Sequence, residues 1–329
     1  MTEFAATAEA SPNIAFVKYW GLRDEKLNLP FNGSISVTMT NNLKTISSVT
    51  FSNDFKNDVA WLNKKRVIGV ELEEITKQLD VVRERADVRL KALVNAETNF
   101  PIGAGLASSS SGFASLTCAS AKALNLNLNE TELSLLARRV SGSACRSIYG
   151  GFVEWKRGVR SDGKDSYAVQ IVPKEHWPEF RNIIAITDSG KKRVSSREGM
   201  RRTVGTSKLF KKRVKELPRT LEVVREAILR KNYGTLFEVT MWESDNFHSV
   251  LLDSKPPLVY LNEISKRIIE AIRKFNSDEF KAGYTFDAGP NAHIFTLERY
   301  AKQVEKLLSE TKGVKKVIVC KAGDGPKYL

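Results

Sequence analysis

Residues 100–112 read Phe-Pro-Ile-Gly-Ala-Gly-Leu-Ala-Ser-Ser-Ser-Ser-Gly, and no other stretch narrows the folds open to this chain so much. A strand-like run, Val88–Val94, precedes it, and an Ala-, Leu- and Ser-rich run, Phe113–Leu124, follows. The order is strand, glycine-rich loop, helix. Gly103 and Gly105 permit backbone angles with φ > 0 and let a ligand approach the main chain closely. Ser108–Ser111 put hydroxyls and unpaired N–H groups at a helix start, where the dipole is positive. Such a start binds phosphate. A serine-capped helix after a plain loop would show the same residues, so the loop alone does not decide. No Lys follows the last glycine, so this is not a Walker loop, and the spacing is not that of a G-x-G-x-x-G dinucleotide site.

A chain of 329 residues buries a substantial core, and two domains are the natural expectation. We place the boundary near Pro173–Pro178, giving units 1–178 and 179–329. The formal net charge of +14 favours phosphorylated or otherwise polyanionic partners. Its Lys and Arg residues are scattered, with no basic tail and no aromatic-interleaved RNA motif. Three cysteines without a C-x-x-C pair suggest a reducing compartment, and the cytoplasm is the expected location. Met1–Ala8 has no signal-peptide pattern, and no apolar run is long enough for a membrane span. The three histidines have no metal-ligand spacing with Cys or one another.

Strands are read over Ser11–Trp20, Ser34–Met39, Lys44–Phe51, Val59–Leu62, Gly150–Trp155, Asn182–Thr187, Ala292–Thr296 and Val314–Val319. Helices are read over Glu71–Arg85, Asn129–Val140, Ser195–Thr203, Pro218–Leu229 and Leu261–Arg273. Asn129 with Glu132 is close to a capping box. Early strands followed by later αβ units indicate an α+β chain.

Three more stretches stand beside the loop: Asn13-Ile-Ala-Phe-Val-Lys18-Tyr19-Trp20-Gly, Ser141-Gly-Ser-Ala-Cys-Arg146-Ser and Tyr284-Thr-Phe-Asp287-Ala-Gly-Pro-Asn291. The loop resembles the phosphate loop of the GHMP kinase superfamily. All four in this order resemble the diphosphomevalonate decarboxylase family, from about Ser11 to beyond Asn291. The resemblance implies an N-terminal ribosomal-protein-S5-like half carrying loop 101–112 and a C-terminal ferredoxin-like half carrying Asp287. It also implies ATP-dependent decarboxylation of (R)-5-diphosphomevalonate to isopentenyl diphosphate, with ATP and Mg²⁺.

Locally, Asp287 could simply cap its turn, and Lys18 could point to solvent from a strand. The resemblance makes Asp287 the catalytic carboxylate and Lys18 its neighbour. It assigns Tyr19, Ser141, Gly142, Ser143, Ala144 and Cys145 to the substrate, the diphosphate above all, Arg146 to its C1 carboxylate, and Arg197 to a more variable contact. It assigns Gly103, Gly105, Ser108, Ser109 and Lys191 to ATP, with Lys192 beside them and Ser109 as the hydroxyl nearest Mg²⁺. Leu22 and Gly33 depart from the family pattern, and no basic contact within Glu71–Lys77 can be singled out. A decarboxylase of the C5 monophosphate, a 3-hydroxyl kinase and a nucleic-acid-binding module remain as alternatives. Small-molecule substrates are the expected partners, without nucleic acid or membrane; a homodimer is left open.

Overall fold

Along Thr45–Ser52 buried side chains alternate with half-buried ones, the period of a strand with one dry face. The computed structural model describes residues 3–40, 43–100, 108–188, 190 and 194–329, with Ser108 by its backbone alone. In chain order the first strands are β1 (Glu3–Ala10), β2 (Asn13–Val17), β3 (Leu22–Asp24), β4 (Leu29–Pro30), β5 (Ser34–Thr40), β6 (Thr45–Ser52), β7 (Val59–Leu62) and β8 (Lys65–Arg66). Helix α1 (Val70–Ala86), β9 (Lys91–Thr98), α2 (Ser108–Ala123), α3 (Glu130–Arg138), β10 (Phe152–Trp155) and β11 (Ala168–Val172) follow. The remainder is β12 (Phe180–Ile186), α4 (Ser196–Thr206), α5 (Leu209–Leu229), α6 (Tyr233–Leu252), α7 (Glu263–Phe275), β13 (Ala282–Phe286), β14 (Ala292–Leu297), α8 (Glu298–Glu310), β15 (Lys316–Ala322) and β16 (Lys327–Tyr328).

A six-stranded sheet has the order β16-β1-β6-β9-β7-β8, and α1 and α2 pack with it around Val49, Phe51, Leu79, Val94 and Ala119. A larger, eight-stranded sheet runs β11-β10-β5-β15-β12-β14-β13, with β2 also paired to β5. Its seam is the short β5–β15 pairing, Thr40 opposite Lys321 and Met39 opposite Ala322. Phe16, Phe152, Trp177, Phe180 and Phe295 cluster beneath it, the closest ring pair 4.5 Å apart. Each such ring contributes roughly 1.5–3 kcal/mol by leaving water. Early and late strands therefore share one sheet and one aromatic core, which makes their relative placement rigid enough to build a site from both.

Local chemistry sets several boundaries. Asn129 and Glu132 close a true capping box at α3, with bonds of 3.0 and 3.1 Å. The helix expected from Pro218 instead begins at Leu209. Proline forfeits its N–H bond and crowds the turn before it, yet Phe210, Arg213, Leu217, Leu221, Val224 and Ile228 keep one face buried along α5 and hold the helix together. Strands β1, β3, β4, β8, β11, β13 and β16 and helices α6 and α8 were not read from the sequence. The buried positions of α6 include Thr240, Glu243, Ser244 and His248, which blur any apolar stripe. No helix among the described residues is long and apolar enough to cross a membrane. Cys118, Cys145 and Cys320 are all free and buried.

Candidate active site

The β2–β5 ladder shifts register between Ala15 and Val17 and then ends. Lys18 thus lies just past the strand rather than on it, and it points inward, only 4% exposed. Its Nζ donates to the Ala15 carbonyl at 2.8 Å and meets Asp287 Oδ1 at 2.7 Å. Asp287 follows β13 directly, and its carbonyl accepts the Gly289 N–H at 2.7 Å in the Asp-Ala-Gly turn. The Asp287 side chain keeps 30% of its surface open. A buried ammonium beside a half-open carboxylate favours the charged form of that carboxylate.

Both groups line a cleft of about 590 Å³. Arg146 enters it from the one-turn segment Ala144–Ile148 and is 3% exposed. Its Nε donates to Asn13 Oδ1 at 3.2 Å and to Ser36 Oγ at 3.0 Å, and Nη2 donates to Asn13 Oδ1 at 3.1 Å. Nη1 is buried with no hydrogen-bond partner among the described residues. Burial pushes the guanidinium below its ordinary pKa, yet arginine stays charged in proteins. An unpaired buried cation of this kind is stabilised by an arriving anion.

Ser141, Gly142 and Ser143 line the same cleft, and the Ser141 and Ser143 hydroxyls are 3.3 Å apart. A Cβ on Gly142 would stand 2.7 Å from the Trp155 ring and 3.0 Å from Tyr19, so only glycine fits there. Ala144 and Cys145 were expected among the substrate contacts, but the structure places both in the core. They are fully buried, the Ala144 N–H is spent on the Ser141 carbonyl, and the Cys145 thiol is held to Gly142 O at 3.0 Å. Burial pushes that thiol up to about 12, so it stays neutral.

Tyr19 is half-buried against Trp155, with ring centroids 4.8 Å apart, and faces the cleft. Burial pushes its phenol up to about 12, against the pull of Arg146, so it remains a proton donor at neutral pH. Arg197 also lines the cleft but is engaged, with Nη1 on Glu74 at 2.9 Å and Nη2 on the Val140 carbonyl at 3.0 Å. Ser109 stands exposed on the first turn of α2, at the junction with a second cleft of about 230 Å³ walled by Trp61, Val67, Ile75 and Phe113. Gly103, Gly105, Lys191 and Lys192 lie outside the described residues, as does the Ser108 side chain.

The sequence reading did not assign Asn13, although it opens a quoted motif. Asn13 ties Arg146 to the Ser143 carbonyl at 3.0 Å and to Ser147 Oγ at 2.8 Å. His248, 7% exposed, sits under Phe286, its rings 6.3 Å apart. Burial, then Lys18, lowers its pKa to about 3, so it adds no charge beside the Lys18–Asp287 pair.

This architecture, with a cationic cleft at a helix start, is the GHMP kinase fold. Residues 10–168 match the diphosphomevalonate decarboxylase-like N-terminal domain, and residues 182–312 match the mevalonate 5-diphosphate decarboxylase C-terminal domain. The chain belongs to the diphosphomevalonate decarboxylase family. It is 41% identical to diphosphomevalonate decarboxylase of Debaryomyces hansenii over 99% of this chain and 95% of that one. Mevalonate diphosphate decarboxylase from Staphylococcus aureus superposes with a TM-score of 0.94 at 34% identity, covering 100% of this chain and 98% of the other. A complex of MDDEF with MVAPP, AMPPCP and magnesium superposes with a TM-score of 0.93 at 34% identity, covering 100% and 99%.

Proposed function

We propose that the chain catalyses ATP-dependent decarboxylation of (R)-5-diphosphomevalonate to isopentenyl diphosphate, ADP, phosphate and CO₂. The observation that carries the reading is the 2.7 Å Lys18–Asp287 pair, set in one cleft with Arg146, whose Nη1 has no partner among the described residues. Family membership supports it, as does the neighbour that binds MVAPP and AMPPCP with magnesium. Residues 1–178 would form the S5-like unit with loop 101–112, and residues 179–329 the ferredoxin-like unit that delivers Asp287. The family matches at 10–168 and 182–312 support that division.

In this reading Asp287 accepts the C3 hydroxyl proton as that oxygen bonds to the γ-phosphorus of ATP, and the bond from phosphorus to ADP breaks. The C3–O bond then breaks and phosphate departs with its electrons. The C1–C2 bond supplies the pair that forms the C2=C3 double bond, and CO₂ leaves. Lys18 holds Asp287 charged and in place. Arg146 Nη1 orients the C1 carboxylate, and Tyr19, Ser141 and Ser143 take the diphosphate with the Gly142 and Ser143 main chain. Most of the catalysis is positioning and electrostatics.

The residues also suit a nucleotide. The second cleft is lined mostly by apolar side chains, among them Trp61, Val67, Ile75 and Phe113, as a purine needs, and Ser109 lines both it and Asp287's cleft. Among the described residues no group of three His, Cys, Asp or Glu side chains could hold a metal. Mg²⁺ would come with the ATP phosphates, and the Ser109 hydroxyl is the oxygen of this chain that would hold it. It would offset charge on the transferring phosphoryl group. Ser109→Ala should lower kcat/KM for ATP by roughly 10- to 100-fold, the worth of one hydrogen bond to a charged group. Binding of the diphosphate acid should change little. An unchanged ATP profile removes Ser109 from the site.

The reading is tested by incubating the protein with ATP and Mg²⁺ and either mevalonate 5-diphosphate or mevalonate 5-phosphate, following ADP and CO₂ separately. ADP and CO₂ should appear in equal amounts with the diphosphate. ADP without CO₂ would make the protein a 3-hydroxyl kinase, and turnover of the monophosphate alone would reassign the substrate.

A further inference from the structure

The main chain of Lys18 has left the β2–β5 ladder, yet none of its polar groups is loose. Its N–H donates to Glu243 Oε1 at 2.9 Å. Its carbonyl accepts from Asn32 Nδ2 at 3.0 Å and from Arg213 Nη2 at 3.3 Å. Arg213 Nη2 is also hydrogen-bonded to Glu243 Oε1, which closes the ring, and Arg213 Nη1 is fixed by Asn246 Oδ1 at 2.7 Å. Glu243 is 0% and Arg213 2% exposed.

We propose that Glu243 and Arg213 are positioning residues for the reaction: their buried ion pair clamps the Lys18 main chain on both sides and so sets where Lys18 Nζ meets Asp287. The proposal rests on the roles given to Lys18 and Asp287 above. Burying two charges in a protein interior gains little stability over apolar side chains of similar size. What an ion pair offers that Leu and Met do not is direction, and here both directions end on one residue, on the two peptide units that flank the Lys18 Cα. The same helix reaches the partner strand. Ser244, next to Glu243, accepts the Phe286 N–H on its Oγ at 3.2 Å, one residue before Asp287. Helix α6 therefore holds the backbone on both sides of the reacting pair.

The test is the double variant Arg213→Met/Glu243→Leu, which removes both charges and leaves none unpaired. It should fold but melt somewhat below the parent protein: exchanging the pair for apolar side chains is itself near neutral, while the buried Lys18 N–H loses its acceptor. Its kcat should fall roughly 10²-fold, the cost of a reacting group misplaced by about 1 Å. KM for the diphosphate acid and for ATP should move by less than about threefold, because neither residue touches a substrate. In a Lys18→Met background the same pair of changes should add less than about twofold, since the group they position is already gone. A folded double variant with normal kcat overturns the proposal, and so do effects that multiply with Lys18→Met. If Lys18→Met itself is without effect, the reading beneath the proposal fails instead. Should the double variant not fold, Glu243→Gln, which keeps the shape and weakens the clamp, takes its place in the same cycle. A normal kcat or multiplying effects there overturn the proposal equally.

Discussion

Asp287→Asn should slow ADP release and CO₂ release together, by about 10²–10⁴-fold, the usual worth of a positioned acid–base group. Asparagine keeps the shape and one acceptor oxygen but can neither take the hydroxyl proton nor carry the charge that pairs with Lys18 Nζ at 2.7 Å. The two products should fall in step because decarboxylation waits on phosphorylation. Binding of ATP and of the diphosphate acid should change much less, since Asp287 is not an anion contact. Removing its negative charge beside Arg146 would if anything tighten both. Rapid-quench measurement of ADP and trapped CO₂ decides the matter. Normal phosphorylation with CO₂ release lost would move Asp287 to the second step. Survival of both steps would place the reaction elsewhere in the cleft.

Arg146→Gln should lower kcat/KM for the acid by about 2–4 kcal/mol, or roughly 30- to 1,000-fold. The size of the effect follows from burial. Arg146 is 3% exposed, and its Nη1 has no hydrogen-bond partner among the described residues. A carboxylate arriving there is desolvated against a cation that is already desolvated, and neither then has water to fall back on. KM for ATP should hold near its normal value, because the second cleft, proposed for the nucleotide, lies on the far side of Ser109. Thermal unfolding should fall less than activity does, since among the described residues Arg146 has no carboxylate ion-pair partner whose charge would be stranded. The Asn13 oxygen would lose two of its donors. Near-normal kinetics with the diphosphate acid would mean that the carboxylate is held by another group.

Parts of the proposed site were legible as text, and the reasons differ from residue to residue. The glycine loop lies outside the described residues; Ser109, the Ser141–Arg146 run and Asp287 are local, each at a turn or helix start. Resemblance then supplied the roles. Lys18 was legible as a position but not as a direction. Strand alternation allowed it to face solvent, and only the register shift between Ala15 and Val17 turns it inward. Ala144 and Cys145 failed for the converse reason. Small residues next to a site look available in a sequence, but this one-turn segment points them at the core.

The sequence by itself determined the α+β class, the capping box at Asn129 and the family. The capping box is written within a short window by side-chain chemistry, and the class and the family by the order of elements and motifs along the chain. Tertiary structure alone decided that Lys18 meets Asp287, that Asn13 anchors Arg146, and that Glu243 of α6 and Arg213 of α5 take hold of the Lys18 main chain. These contacts join residues far apart in the chain, brought together by the packing of its strands and helices. Helix α6 went unread for the same reason that it matters. Its inward face carries Glu243, Ser244 and His248 where an ordinary buried helix carries apolar residues, and those polar groups have meaning only against the strands they hold.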